Sequence, residues 1–278
     1  MMKSKLFDYV EKDNIIYNLT GFTKFICFIL LSASVMFSYD IRFIIGVGTI
    51  SFIILRVADI RLKRIRMMLI YVSVFIILNF VLTFIFSPRY GETLYGSFHP
   101  IFSFSEHYTL SYEQLLYQLT KSAKYASAIP IGILFFLATN PSEFAASLNK
   151  AGLSYKAAYP VSLTLRYFPE MIRNYNDIAL AQQSRGLDLS KKEKFMTRVK
   201  NTVNICFPLI LVTLDRIEIV TNAMDLRGFG KSRRRTWYSA KPMATRDWIA
   251  IILCFLVLST SILLSVFINH SRFWNPFS

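Results

Sequence analysis

The chain has 278 residues, 54% of them apolar and 15% aromatic, with a mean hydropathy of +0.40, a composition that fits a polytopic membrane protein better than a soluble domain. Its formal net charge of +15 argues for basic loops beside a membrane and against a nucleic-acid partner, because Lys and Arg collect on the cytoplasmic side of membrane proteins.

Residues 1–14 mix Lys3, Lys5 and Lys12 with Asp8, Glu11 and Asp13 and hold no short apolar run closed by a small-residue cleavage site. They do not read as a secretory signal, so the first apolar segment is expected to stay in the mature protein. Crossing a hydrocarbon core of about 30 Å takes about 20 apolar residues of helix. Residues 67–86 and 248–268 meet that length without a charge. Residues 22–38 are slightly short, with Lys24 near one end, and residues 43–55 are shorter still. Only Tyr39-Asp40-Ile41-Arg42 separates the two, which predicts a tight helical hairpin. Residues 115–139 supply the fourth span, with Lys121, Lys124 and a kink expected at Pro130. A charge at mid-bilayer costs at least ~2.5–3.5 kcal/mol, so both lysines are expected to snorkel, to face protein or to sit among headgroups. Cys27, Cys206 and Cys254 lie singly in apolar runs, with no CxxC spacing or nearby His, and read as small buried hydrophobes.

Arg56, Arg61, Lys63, Arg64 and Arg66 make the connection after the second span strongly basic, whereas residues 87–112 carry only Arg89 against Glu92 and Glu106. The positive-inside rule then puts the N-terminus and the Arg61 loop in the cytoplasm, the 88–100 loop outside, and the tail from His270 outside. The expected fold is an all-α membrane protein of about five transmembrane helices in three segments. Residues 1–139 hold about four spans, residues 140–246 form a basic helical cytoplasmic domain, and residues 247–278 hold the last span and outer tail. His99 and His107 have no convergent carboxylates at close spacing and read as surface residues, with no metal site.

Within 140–246, Val161, Leu165, Phe168, Ile172, Tyr175, Ala179 and Gln182 recur at helical spacing. A second helix is expected from about Val203 to Arg227, apolar early and polar later. Both helices close on one pattern, Ala181-Gln182-Gln183-Ser184-Arg185-Gly186 and Ala223-Met224-Asp225-Leu226-Arg227-Gly228. Glycine is the usual residue just past a helix end, so Gly186 and Gly228 read as stops, with Arg185 and Arg227 in the last turn and Ala181 and Ala223 one turn earlier. A small-sided tip ending in Arg suits a groove with a carboxylate in it. Two such tips suggest two docking points for a partner with two copies of a groove.

These motifs, with Asn140-Pro141-Ser142-Glu143-Phe144, Ser162-Leu163-Thr164-Leu165-Arg166-Tyr167-Phe168-Pro169 and Phe229-Gly230, resemble the transmembrane T component of energy-coupling factor (ECF) transporters, the EcfT/CbiQ family. The resemblance covers most of the chain, and the paired Arg-Gly signature is its specific part. It implies that Ser184, Arg185 and Gly186, and Leu226, Arg227 and Gly228, tip two coupling helices. Each would dock into one of two cytoplasmic ABC-type ATPase subunits and pass ATP-driven motion to a substrate-capturing S component for vitamin or metal-ion uptake. The chain itself would be non-catalytic and bind no cofactor, with ATP and Mg held by the ATPases, in the cell membrane of a prokaryote. One departure is Asn18-Leu19-Thr20-Gly21-Phe22-Thr23-Lys24, where many relatives have a Pro-bearing version ending in Lys.

Other signals lead nowhere. Gly230-Lys231-Ser232 resembles the end of a phosphate loop, but Asp225 stands where glycine is required and a helix where a strand is required. Glu143, Ala145, Ala146 and Gly152 resemble the coupling loop of ordinary ABC importer permeases at too long a spacing. The alternative class is a membrane-embedded enzyme acting on phosphate-bearing lipids or nucleotides; Asp177, Asp188, Asp215, Glu218 and Asp225 are too scattered to hold a metal for it.

Overall fold

The computed structural model describes residues 14–60, 62–103, 109–187, 195–232, 236–237, 241–268 and 273–274. His107 and Asp188 therefore lie outside the described residues. The helices are α1 (Gly21–Phe37), α2 (Ile41–Val57), α3 (Leu62–Phe86), α4 (Tyr90–Tyr95), α5 (Tyr112–Ala138), α6 (Pro141–Lys150), α7 (Tyr155–Ser184), α8 (Phe195–Leu226) and α9 (Thr245–Leu263), the last continued by a π turn, Leu264–Ile268. One short antiparallel ribbon, β1 (Pro100–Ser103) with β2 (Thr109–Ser111), precedes α5. The chain divides into two compact units, one of Met1–Asn140 with Lys241–Ser278 and one of Pro141–Ala240.

In the first unit, helix starts are written into the sequence. Thr20, Asp40 and Ser111 cap α1, α2 and α5 by accepting the N–H of Thr23, Arg42 and Gln114. Ile65–Phe86 and Thr245–Phe267 are each long and apolar enough to cross a membrane, and α5 counted with the residues after it makes a third candidate. None of the apolar window of Ile65–Phe86 is buried in the protein, which in water would be a large unprotected patch and in a bilayer is an ordinary lipid-facing surface. Helices α1 and α2 have 17 residues each, so α1 is as short as the sequence suggests and α2 is longer than the apolar run 43–55.

The hairpin expected of α1 and α2 takes a different form. Their link is tight, but α1 packs chiefly on α9 and α5, and α2 on α5. Close contacts between small residues explain the choice of partner. The Ser261 hydroxyl of α9 donates to the Ser34 carbonyl of α1 at 2.7 Å, both residues fully buried. The Ser127 hydroxyl of α5 donates to the Ile44 carbonyl of α2 at 3.0 Å. A Cβ on Gly48 of α2 would fall 2.3 Å from the Ser127 oxygen, so glycine is what lets these two helices touch.

Helices α1 and α5 are also tied at both ends by lysine. Lys24, in the first turn of α1, donates to the carbonyl of Ala138, the last residue of α5, at 2.9 Å. Lys124 of α5 donates to the carbonyl of Met36 at the far end of α1, also at 2.9 Å, and lies 4.5 Å from the centre of the Tyr39 ring. Each ammonium thus meets the negative end of the other helix's dipole. Lys121 donates to the Thr83 hydroxyl of α3 at 3.0 Å. Lys121 and Lys124 therefore both bond to protein groups.

At the end of the unit where α5 starts, fully buried Glu113 accepts from the Ser97 hydroxyl (3.0 Å) and the His99 backbone N–H (3.2 Å), and its carboxylate meets the His99 ring nitrogen at 2.7 Å. His99 is exposed, as expected of a surface residue, and its ring is also half of a structural pair. Gln114 accepts from the Gly91 N–H and donates to the Ser87 carbonyl. These two side chains pin the loop after α3 onto α5. Phe273 returns to the same end, packing on Tyr39 and Tyr117.

Candidate functional site: two helix tips

The second unit is built on α7 and α8. The Ser154 hydroxyl caps α7 by accepting the Ala157 N–H. α6 packs on α7 and α7 on α8, and at mid-helix Arg216 of α8 forms an ion pair with Glu170 of α7 at 2.6 Å. The Arg216 guanidinium also lies 5.3 Å from the Tyr167 ring centre.

Both Arg-Gly segments terminate their helices, and they do so alike. At the end of α7 the Gly186 N–H donates to the Gln183 carbonyl and the Leu187 N–H to the Gln182 carbonyl, with Gly186 at φ +89°. At the end of α8 the Gly228 N–H donates to Asp225 and the Phe229 N–H to Met224, with Gly228 at φ +66°. This is the Schellman arrangement, in which a left-handed residue turns the chain so that two amides satisfy the last carbonyls. It makes Arg185 and Arg227 the C-cap residues, each beside its helix's negative end. Helix α6 stops in the same way at Gly152, so the turn alone is not distinctive. What sets the two tips apart is an exposed arginine at the cap.

Ala181, Ser184, Arg185, Gly186, Ala223, Leu226 and Arg227 are all exposed, and Gly228 is half-buried. Leu226 is 90% exposed and adds an apolar side chain to the charged tip.

The tips differ in how they are seated. Phe229, just past the α8 tip, packs on Tyr155 and Tyr159 of α7 with ring centres 5.5 and 5.0 Å apart. Trp237 closes the cluster 5.3 Å from Tyr155, and its ring N–H donates to the Asn149 side chain of α6 at 3.1 Å. Gly186, in contrast, has nothing among the described residues within 4 Å of where a Cβ would stand. The aromatic seat was not foreseen in the sequence, although an apolar residue two places after a helix C-cap is the usual companion of a Schellman turn and marks Phe229.

This seating also separates the tips. The α8 tip lies against the first turn of α7, whereas the α7 tip ends the same 30-residue helix. At 1.5 Å per residue they stand as much as about 45 Å apart.

Together the two units define a helical membrane protein whose basic second unit ends in two exposed arginine tips. A family model described as "Cobalt transport protein" (CbiQ) matches residues 13–238, and the chain belongs to that family. Three relatives, each named "Energy-coupling factor transporter transmembrane protein EcfT", illustrate the range of similarity. That of Staphylococcus aureus is 24% identical over 90% of this chain and 93% of its own length. That of Thermanaerovibrio acidaminovorans is 24% identical over 90% and 91%. That of Limosilactobacillus fermentum is 34% identical over a shorter stretch, 36% of this chain and 37% of its own. The chain is therefore a transmembrane energy-coupling component of an ECF transporter, a subunit of a transport complex and not an enzyme.

Proposed function

We propose that this chain is the scaffold and lever of an importer, with its N-terminus, Arg61 loop and second unit in the cytoplasm. Ser184-Arg185-Gly186 and Leu226-Arg227-Gly228 dock into two ABC-type ATPase subunits, one tip in each, with each arginine paired to an acidic residue of the ATPase groove. The motion of those ATPases reaches a separate S component that captures a vitamin or metal ion, and this chain holds no substrate or nucleotide of its own. The observation that carries the reading is the pair of like-built, exposed arginine tips at opposite ends of α7. A single basic surface would not need two matched turns as much as about 45 Å apart.

The test is co-purification from the native membrane. Tagged wild-type chain is expected to bring down ABC-type ATPases and a small hydrophobic partner, and the Arg185→Glu, Arg227→Glu double variant to lose the ATPases while still inserting. Removing one member of such a pair typically costs about 2–5 kcal/mol, enough to empty the groove. Equal ATPase recovery from wild type and variant overturns the docking role.

A further inference from the structure

The chain passes between its two units twice, and both crossings are tied to one short segment. It leaves the first unit just after α5 and re-enters it at Lys241, four residues before α9. Residues 17–24 hold both places. Lys24 Nζ donates to the Ala138 carbonyl at the end of α5 (2.9 Å) and to the Tyr17 carbonyl (3.0 Å). The Thr20 N–H donates to Asp247 Oδ1 in the first turn of α9 (2.8 Å), and Asp247 Oδ2 accepts the Ala244 N–H (2.8 Å). The Thr20 and Thr23 hydroxyls join at 2.8 Å. Lys24, Thr20, Thr23 and Asp247 are 6%, 4%, 0% and 2% exposed.

Burying an ammonium and a carboxylate is costly, and well-packed apolar residues in their place are often no less stable. Stability alone therefore does not account for this cluster. What charged side chains supply and apolar ones do not is fixed geometry: the ammonium meets the negative end of α5 and the carboxylate meets two chosen amides. We propose that Lys24 and Asp247, acting through the Thr20 turn, clamp the end of α5 and the start of α9 into one body, so that force entering at either crossing moves α1, α5 and α9 together. Both are positioning residues, and the proposal rests on the coupling reading above. Without the clamp, force from the second unit would spread the two crossing points apart and be lost to local fraying.

The experiment uses the full complex as purified from its membrane, with native cysteines replaced and spin labels placed at Phe136→Cys on α5 and Ile249→Cys on α9, both exposed positions. Inter-label distances are measured without nucleotide and with MgATP plus vanadate. In the wild-type background the clamp keeps one distance in both states. In Lys24→Met and in Asp247→Asn, trapping with nucleotide opens a second, longer distance, shifted on the order of one helical turn, about 5 Å. Lys24→Arg restores the single distance, which a role in packing alone does not require. Should Lys24→Met fail to insert, Asp247→Asn, nearly isosteric, carries the test. Distances that stay fixed in the variants, or that already change in wild type, overturn the clamp. A wild-type preparation without ATPases overturns the coupling reading itself, and the clamp with it.

Discussion

At the residue scale, the glycine of each tip matters through its backbone and the arginine through its exposure. Gly186 stands at φ +89° and, among the described residues, a Cβ there meets no neighbour within 4 Å, so a larger side chain is opposed by backbone strain. A β-branched residue in the left-handed region costs about 1–2 kcal/mol, whereas Asn tolerates it. Gly186→Val is therefore expected to weaken ATPase binding about tenfold or more and Gly186→Asn to leave it within a few-fold, as read from titrations of purified ATPase. Equal loss in both would mean that the side chain is excluded by the partner groove and not by the turn. Glu113 teaches the reverse lesson: an acidic residue at the head of an apolar helix suggests an N-terminal charge effect, yet it is the buried acceptor of a whole loop.

At the scale of elements, α7 and α8 carry like motifs on unlike foundations. The α8 tip is fastened by Phe229 to Tyr155 and Tyr159, with Trp237 locked to Asn149 behind them. Aromatic pairs of this kind contribute about 0.5–1.5 kcal/mol each beyond the area they bury. Phe229→Ala is expected to loosen the α8 tip while leaving Arg227 in place. ATPase affinity should fall several-fold in a background where Arg185→Glu has silenced the other tip, and much less where Arg227→Glu has silenced this one. A loss that is the same in both backgrounds would refute a local role for the seat. In the first unit the element scale is governed by small residues: Gly48 against Ser127, and Ser34 against Ser261, decide which helices meet.

For the whole molecule, the distribution of charge sets the orientation in the bilayer, and that orientation is directly measurable. In intact cells, with native cysteines replaced, Thr93→Cys in the α4 loop is expected to react with a membrane-impermeant maleimide. Gln183→Cys near the α7 tip should react only after permeabilisation. Reversed labelling would invert the topology and place the tips where no cytoplasmic ATPase can reach them. Much of this architecture is local and so was legible in the chain itself. Hydropathy marked the long apolar segments 67–86 and 248–268, Gly186 and Gly228 marked two helix ends, and the repeated Arg-Gly segment marked the tips, because each is a signal carried by one continuous stretch of chain. Tertiary structure alone decided which helices pair, that Lys24 and Lys124 tie α1 to α5 from opposite ends, that Asp247 reaches back to Thr20, and that Phe229 is seated on Tyr155 and Tyr159. These contacts join residues from about 70 to more than 220 positions apart, and no periodicity or motif within a single helix encodes which distant carbonyl, amide or ring will lie against it.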